Sequence, residues 1–444
     1  MVAVAHQGEI LHCLEDPAIH HDGAWEYWKN GLLVVEDGHV LSCGDAKKLS
    51  GRLPSGVRLV RHENGLIVPG MVDVHVHYPQ MDVIASYGTR LIEWLERYTF
   101  PLEMQFADPQ RARSAAQFFL DELLRNGTTT ALVFGTVHPE SVDAFFDVAR
   151  RLNVRMICGK VMMDRNAPAG LTDTPSTGYA QSRRLIEKWH GKGRLGYAVT
   201  PRFAVTSSPE QLAGAGRLLK EHDDVHFHTH LSENAEECDL VRHLFPDCRD
   251  YLDVYDRHSL LGRRSVLAHG IHLGEREWRR LKETDSSIAH CPASNLFIGS
   301  GLFSLEKADV HGVRVGLGTD VGGGDSFSIL RTINQAYKMQ QIQQYSLPPI
   351  RALYMATLGG ARALDLDRHI GNFEKGKEAD FVVLDYAATP LIRRRIESAS
   401  SIMEKLFVLQ MLGDDRVIRE TRIMGRKAHP GKPGQSPTGP GASS

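Results

Sequence analysis

Eight short apolar runs rich in β-branched residues follow one another through the middle of this chain. They are "GLIVPGMVDVHVH", "TTTALVF", "VRMICGKVMM", "RLGYAVTP", "VHFHTHL", "SVLAHG", "SSIAHCP" and "VRVGLGTD". Most are separated by amphipathic stretches such as "PQRARSAAQFFLDELLRNG", "ESVDAFFDVARRLN" and "SPEQLAGAGRLLKEH". Strands that alternate with helices build a parallel sheet, because a parallel crossover needs a connection about as long as a helix. Eight repeats fit a closed (β/α)8, TIM-like barrel over residues 69–374. An open doubly wound sheet is the alternative, since closure leaves no trace in a sequence.

At 444 residues, 42% of them hydrophobic, the chain exceeds one compact domain, so a second, smaller unit is expected. Short β-prone pieces bounded by Gly, Asp and Asn fill the first part ("EILHCLE", "GLLVVEDGHVLSCG", "VRLVRHENG") and return late ("GKEADFVVLD", "DDRVIRETRIMGRKAH"). This predicts a small β-sandwich domain formed by residues 1–68 together with 375–430. The polar, Pro/Gly/Ser-rich stretch 431–444 predicts a flexible tail.

Charge narrows the partners. Lys plus Arg number 52 against 54 Asp plus Glu, a formal charge of −2, so no basic field draws nucleic acid or an anionic membrane. A small neutral substrate suits this balance. The start, "MVAVAHQGEILHCLEDP", lacks the basic-then-apolar pattern of a secretory signal, and no run of 18 apolar residues occurs. Six cysteines are scattered without a CxxC pair, which suits reduced thiols. These features predict a cytoplasmic protein.

In a barrel, functional groups come from the C-terminal ends of the strands. The first run ends with His75 and His77, two residues apart and therefore on one face of a strand. Such a pair means little alone in a chain with 22 histidines. The fifth run, however, ends with His230, the sixth with His269 and the eighth with Asp320. Each has a plain alternative, since a histidine can finish a strand and Asp320 can cap a helix. Five metal-type groups at equivalent positions of separate repeats are harder to assign to chance. Imidazoles with a carboxylate suit zinc.

Three other signals fail. "GLGTDV" at 316–321 has Val321 where a dinucleotide fingerprint needs its third glycine. "GNFEKGKE" at 371–378 has the spacing of a phosphate loop, but Glu378 stands where Ser or Thr would hold magnesium. "HPE" at 138–140 is half of a cytidine-deaminase-type zinc signature, and the PCxxC half is missing.

The order "PGMVDVHVH", "HTHLSE", "AHG", "GLGTD" and "ATLGGARALDLDRHIGNFEKGKEADFVVLD" resembles the metal-dependent amidohydrolase superfamily over nearly the whole chain. Within it, "HVHYPQ", "LIEWLERYTFPLE", "TPRF", "HTHLSENAEE" and "HCPASNLFIGSG" are similar to the guanine deaminase family. The resemblance implies one Zn2+ per chain with His75, His77, His230 and Asp320 as ligands. It implies Glu233, His269 and Asp320 as the catalytic residues, with Glu233 a proton shuttle. It also implies that Gln80, Arg202, Phe203, Glu233 and His269 contact the substrate, guanine, which is hydrolysed to xanthine and ammonia in purine catabolism.

Taken alone, Glu233 reads as a helix cap in "SENAEE", Arg202 as a surface ion-pair residue and Phe203 as core. A binuclear site is disfavoured because the fourth run ends in "VTPRF" without a lysine, while Lys160 belongs to the third. "LIEWLERYTFPLE" and "DVGGGDSFS" are candidate pocket walls. A homodimer is expected from the resemblance. The competing activities are a sister amidohydrolase acting on another purine, a pterin, a triazine or cytosine, and a non-catalytic scaffold.

Overall fold

Each of the eight runs is a strand in the computed structural model, which describes residues 3–20, 23–87 and 91–429. The tail 431–444 lies outside these residues. The chain begins with β1 (Val4–Cys13), β2 (Trp25–Glu36), β3 (His39–Asp45) and β4 (Arg58–Pro69). The barrel strands are β5 (Met71–His77), β6 (Thr128–Phe134), β7 (Arg155–Gly159) with the two-residue β8 (Val161–Met162), β9 (Leu195–Pro201) and β10 (His226–Leu231). They continue with β11 (Ser265–His269), β12 (Ser287–His290) and β13 (Arg314–Leu317), and the chain closes with β14 (Phe381–Asp385), β15 (Ile418–Ile423) and β16 (Arg426–His429).

The barrel order is β5-β6-β7-β9-β10-β11-β12-β13, every neighbour parallel. All seven residues of β5 and of β6 are buried, as expected of strands covered on both faces. The last strand returns to the first. The Asp320 N–H donates to the His75 carbonyl at 3.0 Å and the Thr319 N–H to Asp73 Oδ1 at 3.1 Å. Two glycines allow this approach: a Cβ at Gly316 would lie 2.7 Å from Val74 Cγ1, and one at Gly318 2.9 Å from His75 Cβ. The result is a nearly closed barrel rather than an open sheet.

The outer helices follow from sequence pattern. Helix Pro109–Arg125 starts with proline in its first turn behind Asp108, whose side chain accepts from the Gln110 N–H at 2.9 Å. Its buried residues Ala112, Ala115, Ala116, Phe119, Leu120 and Leu123 repeat at three and four, one apolar stripe facing the barrel. Helix Pro139–Leu152 stops at Asn153, which takes the left-handed conformation at φ 54°.

The chain ends form a separate seven-stranded sheet in the order β16-β15-β14-β4-β1-β2-β3. β4 is its hinge strand, parallel to β1 and antiparallel to β14, and it passes through Gly70 directly into β5. Side chains alternate across the sheet: Leu33 and Val35 join Ile67 and Phe381 in one cluster, Leu32 and Val34 join Ala5 and Ala46 in another. A buried ion cluster ties this sheet to the barrel. Arg194, just before β9, donates to Glu378 at 2.6 Å and pairs with Asp380, while Arg155 Nε donates to Glu378 at 2.8 Å. Glu378 is the residue that spoils the phosphate-loop spacing, and its work is this anchor.

Candidate active site

β5 brings His75 and His77 to one end of the barrel, and β10, β11 and the turn after β13 bring His230, His269 and Asp320 to the same place. His75 Nε2 lies 3.1 Å and His77 Nε2 3.3 Å from Asp320 Oδ1, and His230 Nε2 lies 3.3 Å from His77 Nε2. One ligand-type atom from each of His75, His77, His230 and Asp320 falls within 4.8 Å of all the others. Burial pushes all three histidines below their ordinary pKa, His77 to about 3, so their ring nitrogens stay neutral.

The surroundings aim those nitrogens. His230 Nδ1 lies 2.7 Å from the Arg202 carbonyl, which can only accept, so Nδ1 carries the proton and Nε2 keeps its lone pair. His75 Nδ1 sits 2.8 Å from His228 Nε2. His75 Nε2 is buried without a hydrogen bond of good geometry. An orphan nitrogen, two neutral imidazoles and a carboxylate converging on one point fit a divalent cation and fit little else. The site can therefore hold a metal ion.

Glu233 follows β10 and its carboxyl is buried. Its Oε2 is 3.5 Å from His269 Nε2 and its Oε1 accepts from Ser300 Oγ at 3.0 Å. Burial, with the Asp320 charge adding to it, pushes its pKa up to about 8. Helix capping is done by its neighbour: the Asn234 side chain accepts from the Glu236 N–H at 2.8 Å at the start of helix Ala235–Leu244. The Glu233 carboxyl is thus not taken up by the cap and faces the cluster instead. His269 Nδ1 faces Asn295 Oδ1 at 2.9 Å, leaving Nε2 toward Glu233 and, at 3.8 Å, Asp320 Oδ2.

A cavity opens over this cluster. Gln80, Arg202, Phe203, Glu233 and His269 all line it, and Leu91, Trp94, Leu95 and Ile298 supply apolar walls. The stretch "LIEWLERYTFPLE" thus provides a wall, and Gly323 brings "DVGGGDSFS" to the rim. Arg202 is buried, not a surface residue: its Nη1 donates to Glu103 Oε1 and Oε2 at 3.0 and 2.9 Å. His75, His77, Gln80, Arg202, Phe203, His230, Glu233, His269 and Asp320 are all brought to this one site. Glu103, His228, Asn295 and Ser300 were missed. His228 carried a signal, since "HFHTH" places it on the same strand face as His230, whereas the others meet their partners only through the fold.

A (β/α)8 barrel with two histidines ending its first strand, single histidines ending its fifth and sixth, and an aspartate after its eighth defines a hydrolase of the amidohydrolase type. The Amidohydrolase family model matches residues 66–427, and the chain belongs to that family. Among similar proteins, guanine deaminase of Escherichia coli is 53% identical over 403 residues, 91% of this chain and 92% of that one. The structure of the E. coli guanine deaminase superposes with a TM-score of 0.92 at 49% identity, covering 96% of this chain and 99% of that one. Guanine deaminase from C. acetobutylicum, with guanine bound in its active site, gives a TM-score of 0.87 at 28% identity over 96% and 99% of the two chains.

Proposed function

We propose that this protein is a guanine deaminase, hydrolysing guanine to xanthine and ammonia. The observation that carries the reading is one cavity in which Arg202 and Gln80 face Glu233, His269 and a metal-type cluster. His75, His77, His230 and Asp320 would hold one Zn2+. When bound, the ion supplies Lewis acidity that lowers the pKa of water toward about 7.

The chain's own groups do the rest. Arg202 offers only donors, which match the purine carbonyl, and Phe203 covers a flat ring. Asp320 and His269 orient the attacking water and accept its proton as oxygen adds to carbon 2. Glu233, protonated at neutral pH, gives its proton to the adjacent ring nitrogen, which relieves the charge developing there. The proton taken from water then passes to the exocyclic nitrogen, ammonia leaves as the tetrahedral carbon collapses to a carbonyl, and the hydroxyl proton released in that collapse restores Glu233. Adenine held in the same pose has no amino group at carbon 2 to release, and its 6-amino group would leave the Arg202 donors unpaired.

Two features support a single ion. Lys160 is committed elsewhere, 2.5 Å from Asp173 and donating to the Val161 carbonyl at 3.0 Å. Cys291, which with His269 and Asp320 forms a smaller cluster, has its thiol pushed well up by burial, which disfavours the thiolate a second ion would need. A role in purine catabolism, a homodimer and a cytoplasmic location complete the reading. Six cysteines read as free thiols support the last.

The test is ammonia release from a panel of guanine, adenine, a pterin, a triazine and cytosine, with metal content measured on the same sample. Turnover of guanine with one zinc per chain is expected. Turnover of another ring without guanine would move the protein to a sister activity. His230→Ala should lose both metal and turnover, and an active His230→Ala protein would refute the site.

A further inference from the structure

Glu103 ends the short helix Phe100–Glu103 and has no exposed surface. Both of its oxygens accept from Arg202 Nη1, at 3.0 and 2.9 Å, and Oε1 also accepts from Gln80 Nε2 at 2.8 Å. Arg202 and Gln80 are themselves only 3% exposed, and the Arg202 guanidinium lies 5.6 Å from the centre of the Phe100 ring in the same short helix. One carboxylate therefore clamps the two side chains assigned above to purine selection, and that assignment rests on the guanine deaminase reading.

We infer that Glu103 is a positioning residue that sets the polarity of the base-recognition edge. A carboxylate can only accept, so it turns the Gln80 amide nitrogen inward, where it also lies 3.1 Å from His77 Nδ1, and leaves the carbonyl oxygen with, among the described residues, a long 3.4 Å contact from the Gly322 N–H. It likewise holds one guanidinium nitrogen of Arg202 and leaves the remaining donors for a ring carbonyl. Donor and acceptor are thereby presented in a fixed order along the cavity wall. Glutamine at position 103 would exchange one acceptor for a donor, setting N–H against N–H with Arg202 or Gln80 and freeing both to turn.

The test compares Glu103→Gln with the parent enzyme using hypoxanthine, which keeps the carbonyl, and purine, which lacks it, as competitive inhibitors of guanine turnover. The KM for guanine should rise about 10- to 100-fold with kcat little changed, since a bond made equally in ground and transition states acts on binding. Hypoxanthine should weaken by the same factor, purine by less than about threefold, and zinc content should be unchanged. Parallel loss of both inhibitors, or loss of neither, would overturn the inference by making Glu103 a general support or a bystander. Should Glu103→Gln fail to accumulate, Glu103→Asp is read in the same way, its shorter arm releasing Gln80 and Arg202 while keeping the charge. A parent enzyme that releases no ammonia from guanine would fail the underlying reading instead, so the two failures are told apart.

Discussion

Glu233 carries the sharpest contrast between how one residue reads in sequence and where the fold places it. In sequence it sits at a helix start and looks like a cap, but Asn234 caps the helix and the Glu233 carboxyl turns inward to His269 and Ser300. Glu233→Gln keeps the shape and the Ser300 hydrogen bond but cannot pass a proton on. Its kcat should fall about 10²- to 10⁴-fold while zinc content holds, measured by steady-state turnover and metal analysis. A loss of metal with activity would show that the residue only supports the site. Ser300 and Asn295 were illegible in sequence for a physical reason. A hydroxyl and an amide in "HCPASNLFIGSG" are ordinary loop chemistry until the fold sets them 3.0 Å from Glu233 and 2.9 Å from His269.

At the scale of elements, β-branched runs bounded by turn signals revealed every barrel strand, because a strand buried on both faces must be apolar throughout. The third run hid a break, since β7 stops at Gly159 and β8 resumes at Val161. There a Cβ on Gly159 would lie 2.0 Å from the Ala198 carbonyl oxygen, a close approach no periodicity reports. The junction between barrel and outer sheet was also invisible, because Arg194 and its partner Glu378 are 184 positions apart. Arg194→Met would leave Glu378 buried with Arg155 as its cationic partner and Asp380 buried with the Met424 N–H but, among the described residues, no paired cation. It should cost about 3 kcal/mol or more, seen as a lowered denaturation midpoint. A midpoint within error of the parent would show that the cluster contributes nothing net.

For the molecule as a whole, buried neutral histidines lower stability in acid, against buried carboxyls such as Asp73 and Glu237, each raised to about 7 by burial, which work the other way. Burial lowers His226 to about 4 and His290 to about 3, and the described hydrogen bonds give His290 no partner for either ring nitrogen. In the unfolded chain both titrate near about 6.5, so between that pH and their folded values the unfolded state binds more protons. Their contribution is complete above that point and is lost progressively as pH falls toward 4. Thermal midpoints measured from pH 7 to 4 should drop steeply, and His290→Phe should flatten the slope. A slope unchanged by His290→Phe would refute the assignment of a neutral, buried ring at that position. The outer sheet has a consequence of another kind. β4 pairs on one side with β1, but its other partner, β14, comes from Phe381–Asp385, after all eight barrel strands. As the ribosome delivers the chain, the edge of β4 from Gly65 to Pro69 stays open throughout barrel synthesis, an unpaired template that a chaperone or another nascent chain can occupy first.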